Sequence, residues 1–235
     1  MRTISLLSLL LISSITVFAQ KVLTIDFDQI KQRIEDPRSP MYYPTLVDRF
    51  AKGDSLSADE LKHVYYGDAF SDNYDPYSPD LSERFRTLFK DGKYREALPL
   101  GLKELASAPT NIRLTFSVAI CYKRLKIEDS TRLFAGRYYS LLSAIRNSGE
   151  GTSMENAMVV LRVSDEYDIL KESELSVKGQ SLIQGEHGPT DRMELSQEDQ
   201  KTKVEALYFN VTMPMHQMGK MLEGQITVPG SKRKK

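Results

Sequence analysis

Gly149-Glu150-Gly151, followed by Ala157-Met158-Val159-Val160-Leu161-Arg162-Val163, is where this chain changes its period. Before that point apolar residues recur every three to four positions, as helices require. After it they fall in short runs rich in β-branched and aromatic side chains, as strands require. Strands are expected at Ala157–Val163, Tyr167–Leu170, Leu175–Ile183 and Val204–Met213, with the polar stretch Glu186–Lys203 an excursion between them. Strands so close in sequence suit an antiparallel or mixed sheet, because a parallel pair needs a crossover of about a dozen residues. Helices first and strands later predict an α+β fold: helical hairpins, then a small, mostly antiparallel C-terminal sheet.

Working back from the switch, Leu81–Asn147 reads as four helices in two hairpins. Tyr94, Ala97, Leu98, Leu102 and Leu105 form one apolar stripe. Ile112, Phe116, Ala119 and Ile120 with Leu114, Val118, Cys121 and Leu125 put two stripes on one helix, which is therefore buried on two sides. Phe134, Tyr138, Leu141 and Ile145 complete the stack. Further upstream, Asp26 is placed as an N-cap with Gln29 three residues on, and Ser57-Ala58-Asp59-Glu60 is a capping box. Gly53 stops the helix that carries Tyr43, Leu46, Val47 and Phe50.

At the outer edge, Met1–Ala19 has one early positive charge (Arg2), an apolar run over Ile4–Phe18 and the small-x-small end Val17-Phe18-Ala19. That pattern predicts a signal peptide, and hence an exported, periplasmic or secreted chain beginning near Gln20. With Arg2 gone, 31 basic residues face 32 acidic ones. A chain so balanced lacks the basic face that nucleic-acid binding needs. Ser231-Lys232-Arg233-Lys234-Lys235 ends it as a solvated basic tail. The expected divisions are signal peptide 1–19, helical region 20–148, β-rich region 149–224 and disordered tail 225–235. The β-rich part is expected to share the helical core, having too few strands to be stable alone. No transmembrane anchor is expected.

Chemistry-bearing motifs are sparse. Cys121, the only cysteine, sits on an apolar stripe as a buried thiol. His63, His187 and His216 share no metal-ligand spacing, with His63 expected on a helix surface. No nucleophile elbow, phosphate loop or dinucleotide fingerprint occurs, so no cofactor is expected. Asp68, Asp72, Asn73, Asp75 and Asp80 crowd one loop with oxygen ligands, but without the alternating ladder and distal glutamate of a calcium loop. Asp165, Glu166 and Asp168 read as solvated acids at a hairpin turn. Asn210-Val211-Thr212 matches a glycosylation acceptor by coincidence. The candidate binding surface is the aromatic loop: Tyr65, Tyr66, Tyr74, Asp75 and Tyr77, where tyrosines supply rigid contact area with a hydroxyl at the tip.

Two resemblances attach to named residues. Gly92-Lys93-Tyr94-Arg95-Glu96-Ala97-Leu98, then Pro109, Ala119 and Tyr122, resemble a tetratricopeptide hairpin. Gly101 and Glu104 depart from that pattern, and no third copy follows. Tyr65-Tyr66-Gly67, Tyr74-Asp75-Pro76-Tyr77, Gly151-Thr152, Asp165-Glu166-Tyr167 and Tyr208-Phe209-Asn210 together resemble the domain of unknown function 4919 family. That resemblance implies an exported protein typical of Bacteroidetes, helical with a C-terminal β portion, and brings no catalytic residues. Two functional readings follow. In the first, the chain is an interaction or scaffold module that holds an envelope protein or peptide in a helical groove. In the second, it is a small hydrolase or glycan-processing enzyme in which distant carboxylates such as Asp75 and Glu166 converge. Missing catalytic motifs favour the first.

Overall fold

The computed structural model describes residues 25–196 and 204–225. The expected signal peptide, the 197–203 part of the polar excursion and nearly all of the basic tail lie outside the described residues.

Each early helix starts and stops where its sequence directs. Helix α1 (Phe27–Glu35) begins at Asp26, whose carboxylate accepts the Gln29 N–H. Helix α2 (Tyr43–Lys52) has proline in its first turn and ends on Gly53 at φ 82°, the left-handed conformation that glycine adopts without strain. Helix α3 (Ala58–Gly67) opens on the full capping box of Ser57 and Glu60. A short 3₁₀ turn (Asp68–Phe70) leads into the loop.

Four helices follow: α4 (Glu83–Lys90), α5 (Tyr94–Ser107), α6 (Ile112–Arg124) and α7 (Glu128–Arg146). Each packs on the next. Their own apolar cluster is built on Phe85, Ala97, Leu105, Leu114, Val118 and Phe134, with Cys121 buried inside it. Helix α6 is buried on two sides as its double stripe requires, because Ile112 belongs instead to the larger cluster.

The sheet has four strands in the order β1-β4-β3-β2: β1 (Met158–Val159), β2 (Val177–Gly185), β3 (Gly188–Leu195) and β4 (Ala206–Asn210). β1 runs parallel to β4, and the other two pairings are antiparallel. The fold is α+β, with a mixed sheet in its C-terminal part. The larger cluster runs from Ile30, Leu46 and Tyr66 through Leu141 and Ile145 to Leu161, Met193 and Phe209. Helices and sheet therefore close over shared apolar residues.

Three expectations are corrected here. Tyr167–Leu170 is not a strand but lies in helix α8 (Val163–Glu172). Ile169 and Leu170 are buried four residues after the buried Asp165 and Glu166, which is a helical spacing. Gly188–Leu195, expected as part of an excursion, is an inner strand. Gly185 pairs with Gly188 across a two-residue turn, and Met193 and Leu195 are buried while Arg192 and Glu194 point outward. Finally, the strand expected through Met213 stops at Asn210, and helix α9 (Thr212–Gln225) follows. The Asn210 side chain makes that break, accepting the Thr212 N–H while donating to the His187 carbonyl.

Candidate functional site

Four of the residues that carry the family resemblance, Tyr65, Tyr66, Tyr74 and Asp165, meet in one buried polar network around β1. The Tyr65 hydroxyl donates to Asp165 Oδ2 at 2.6 Å and accepts the Leu161 N–H at 3.0 Å. Tyr66 donates to the Val159 carbonyl (2.9 Å), and Tyr74 to the Leu161 carbonyl (2.7 Å). Three tyrosines thus satisfy backbone groups that so short a strand leaves unpaired. Arg162 reaches Asp68 Oδ2 at 2.8 Å with both side chains buried, and Thr110 donates to the same oxygen at 2.6 Å. The Arg162 guanidinium also lies over the Tyr74 ring.

Of the five expected surface residues, Tyr65 and Tyr66 are fully buried and Tyr74 nearly so. Their rings face the core, so they offer no contact area to a partner. Tyr77 is exposed along part of its ring, with its hydroxyl donating to the Pro214 carbonyl at 2.8 Å. Asp75 accepts the N–H groups of Tyr77 and Ser78 in its own turn. Among the described residues, no group of three or more His, Cys, Asp or Glu side chains is arranged to hold a metal ion.

The acids of α8 do not lie where a turn would put them. They are buried, not solvated at a turn. Burial pushes Asp165 up to about 7, against the pull of Arg162 and the Tyr65 hydroxyl. Glu166 is pushed up to about 9, first by burial and then by the neighbouring Asp191 and Asp165 charges. Neither Glu166 oxygen has a hydrogen-bond partner, and burial beside Asp191 and Asp165 favours the protonated form of its carboxyl. Asp191 in turn accepts Gln180 Nε2 at 2.7 Å. Asp168 pairs with Arg113 at 3.2 Å. His63, expected on a surface, is fully buried against the Asp59 carbonyl, and burial lowers its basicity. Part of the signal for Asp165 and Glu166 lies in the sequence, since each stands four positions before an apolar residue, Ile169 and Leu170, that shares its helix face.

The open concavities lie elsewhere. One hollow of about 800 Å³ lies between α4 and α5, lined by Glu83, Arg84, Leu88, Glu96 and Pro99 among others. A second of about 790 Å³ runs from Asp80 and Arg86 to Lys103 and Asn111. The two meet at Glu83 and Leu100. Asp80 joins this groove to the network, since it accepts the Ser164 hydroxyl and lies 3.7 Å from Arg113. None of Asp165, Glu166, Asp168 or Asp191 lines either hollow.

No curated protein and no solved structure matches the chain. A family profile matches residues 28–220, which include both the network and the groove, and the chain belongs to that family, described as a domain of unknown function (DUF4919).

Proposed function

We propose that this protein is an interaction module of the cell envelope, exported by its N-terminal segment, that holds a peptide or an extended segment of a protein partner in the α4–α6 groove. The observation that carries this reading is the separation of the two sites. The open hollows are lined by apolar side chains (Leu88, Pro99, Leu100, Leu114) and by charges of both signs, the mix that binds an extended chain. The perturbed carboxylates are sealed away from them. An enzyme of the hydrolase type needs its two acids open to substrate and at working distance. Here Asp75 is spent on its own turn, and Glu166 faces Asp191 inside the protein.

A photo-crosslinking residue at Lys103, on the groove wall, tests this in the native envelope. The expected result is a discrete crosslinked partner, absent when the same probe is placed at the exposed Tyr139. Equal labelling from both positions would count against the groove.

A further inference from the structure

On another part of the molecule, Arg137 of α7 is 8% exposed and is flanked by two phenyl rings, Phe134 at 4.6 Å and Phe50 at 5.1 Å from its guanidinium carbon. Among the described residues its side chain has no hydrogen bond and no ion pair, and its Nε is buried without a partner. Burial lowers it to about 10, so it is still charged at neutral pH. A largely buried cation without a counter-charge is a costly arrangement, which an anion bound in the adjoining cleft would relieve. Arg137 lines a cleft of about 280 Å³ between α7 and the turn after α2, with apolar walls from Leu56, Leu61 and Leu133. The other charges on that cleft are engaged: Asp54 lies 3.8 Å from Arg49, and Arg132 pairs with Asp129 and Glu128.

We propose that this cleft is a binding site for a monocarboxylate carried on a short apolar body, its carboxylate on Arg137 and its apolar part against Leu56, Leu61 and Leu133. A planar guanidinium held between two rings presents its donors in the fork that matches a carboxylate. Among the described residues lining the cleft, Arg137 is the one cation without a partner, which suits a single negative charge, and the leucines suit a hydrocarbon body in a way that a fully hydrated phosphate does not. Two sources share this chemistry: a free short-chain acid, and the C-terminus of a peptide that ends in an apolar residue. The site is separate from the α4–α6 groove, and its test does not depend on that reading.

The test is an amide and arginine-Nε NMR titration of the ¹⁵N-labelled protein with hexanoate, N-acetyl-leucine, their uncharged amides and inorganic phosphate. Saturable shifts of the Arg137 Nε–H and the Gly53 and Gly136 amides are expected with the carboxylates, and binding at least about tenfold weaker with the amides. The tighter of the two carboxylates identifies the source. Arg137→Met should keep the wild-type amide spectrum elsewhere, melt no lower than wild type, and lose the binding. The proposal is overturned if neither carboxylate saturates, if the amides or phosphate bind as well as hexanoate, or if a folded Arg137→Met still binds. The comparison of acid with amide on the wild-type chain decides the matter even if the variant does not fold.

Discussion

Tyr65 shows how much a single hydroxyl can carry. It satisfies the Leu161 N–H and holds Asp165, both inside the core. Removing it leaves a buried donor and a buried carboxyl unpaired, so Tyr65→Phe should cost about 2–3 kcal/mol in urea denaturation. Tyr139→Phe, at an exposed ring, should change stability by less than about 0.5 kcal/mol. Glu166 makes the complementary case through its proton. Its ordinary value is 4.5 and its folded value about 9, so between those limits the native state holds a proton that the unfolded chain has released. Stability from this group is complete below about pH 4.5 and falls as pH rises toward 9, by up to about 1.4 kcal/mol per pH unit. Glu166→Gln, neutral throughout, should flatten that slope. The two proteins should be closest in stability near pH 5, with the variant gaining as pH rises. Parallel curves for wild type and variant would refute a buried protonated Glu166.

At the scale of elements, two glycines within helices have opposite roles. At Gly101 of α5, an added Cβ would come 2.6 Å from the Phe85 ring and 2.8 Å from Val118, both buried, so α4, α5 and α6 pack closely only with glycine there. Overpacking costs about 1–3 kcal/mol and outweighs the roughly 1 kcal/mol of helix propensity that alanine recovers. At Gly136 of α7 an added Cβ meets nothing within 4 Å. Gly101→Ala should therefore lower the melting temperature and Gly136→Ala should raise it. Caps and stripes place the helices from Asp26 to Asn147 because those signals are local. The sheet's signals are not local. The polar β3 is an inner strand only because β2 and β4 flank it, and the α8 acids read as a turn because their burial depends on Tyr65 and Asp191, distant in sequence. The tyrosines stand out in the sequence as a set, but whether a tyrosine faces solvent or a strand's free carbonyl is decided by the neighbouring chain.

For the whole molecule, helices and sheet share the cluster that runs from Ile30 to Phe209, and Gly149–Gly151 lies at their junction. Tyr208 N donates to the Gly151 carbonyl at 2.9 Å, and Gly149 has no room for a side chain beside the Asn156 and Ala157 carbonyls. Limited proteolysis should find that junction protected and release no separately folded halves. On the proposed reading the groove meets the partner while the buried network only supports the fold. The direct measurement is crosslinking from Lys103 in the envelope, in three backgrounds: otherwise wild type, Leu100→Asp and Glu166→Gln. A partner band is expected in wild type, with its loss in Leu100→Asp and its retention in Glu166→Gln. Retention in folded Leu100→Asp, or loss in folded Glu166→Gln, would contradict the proposed reading.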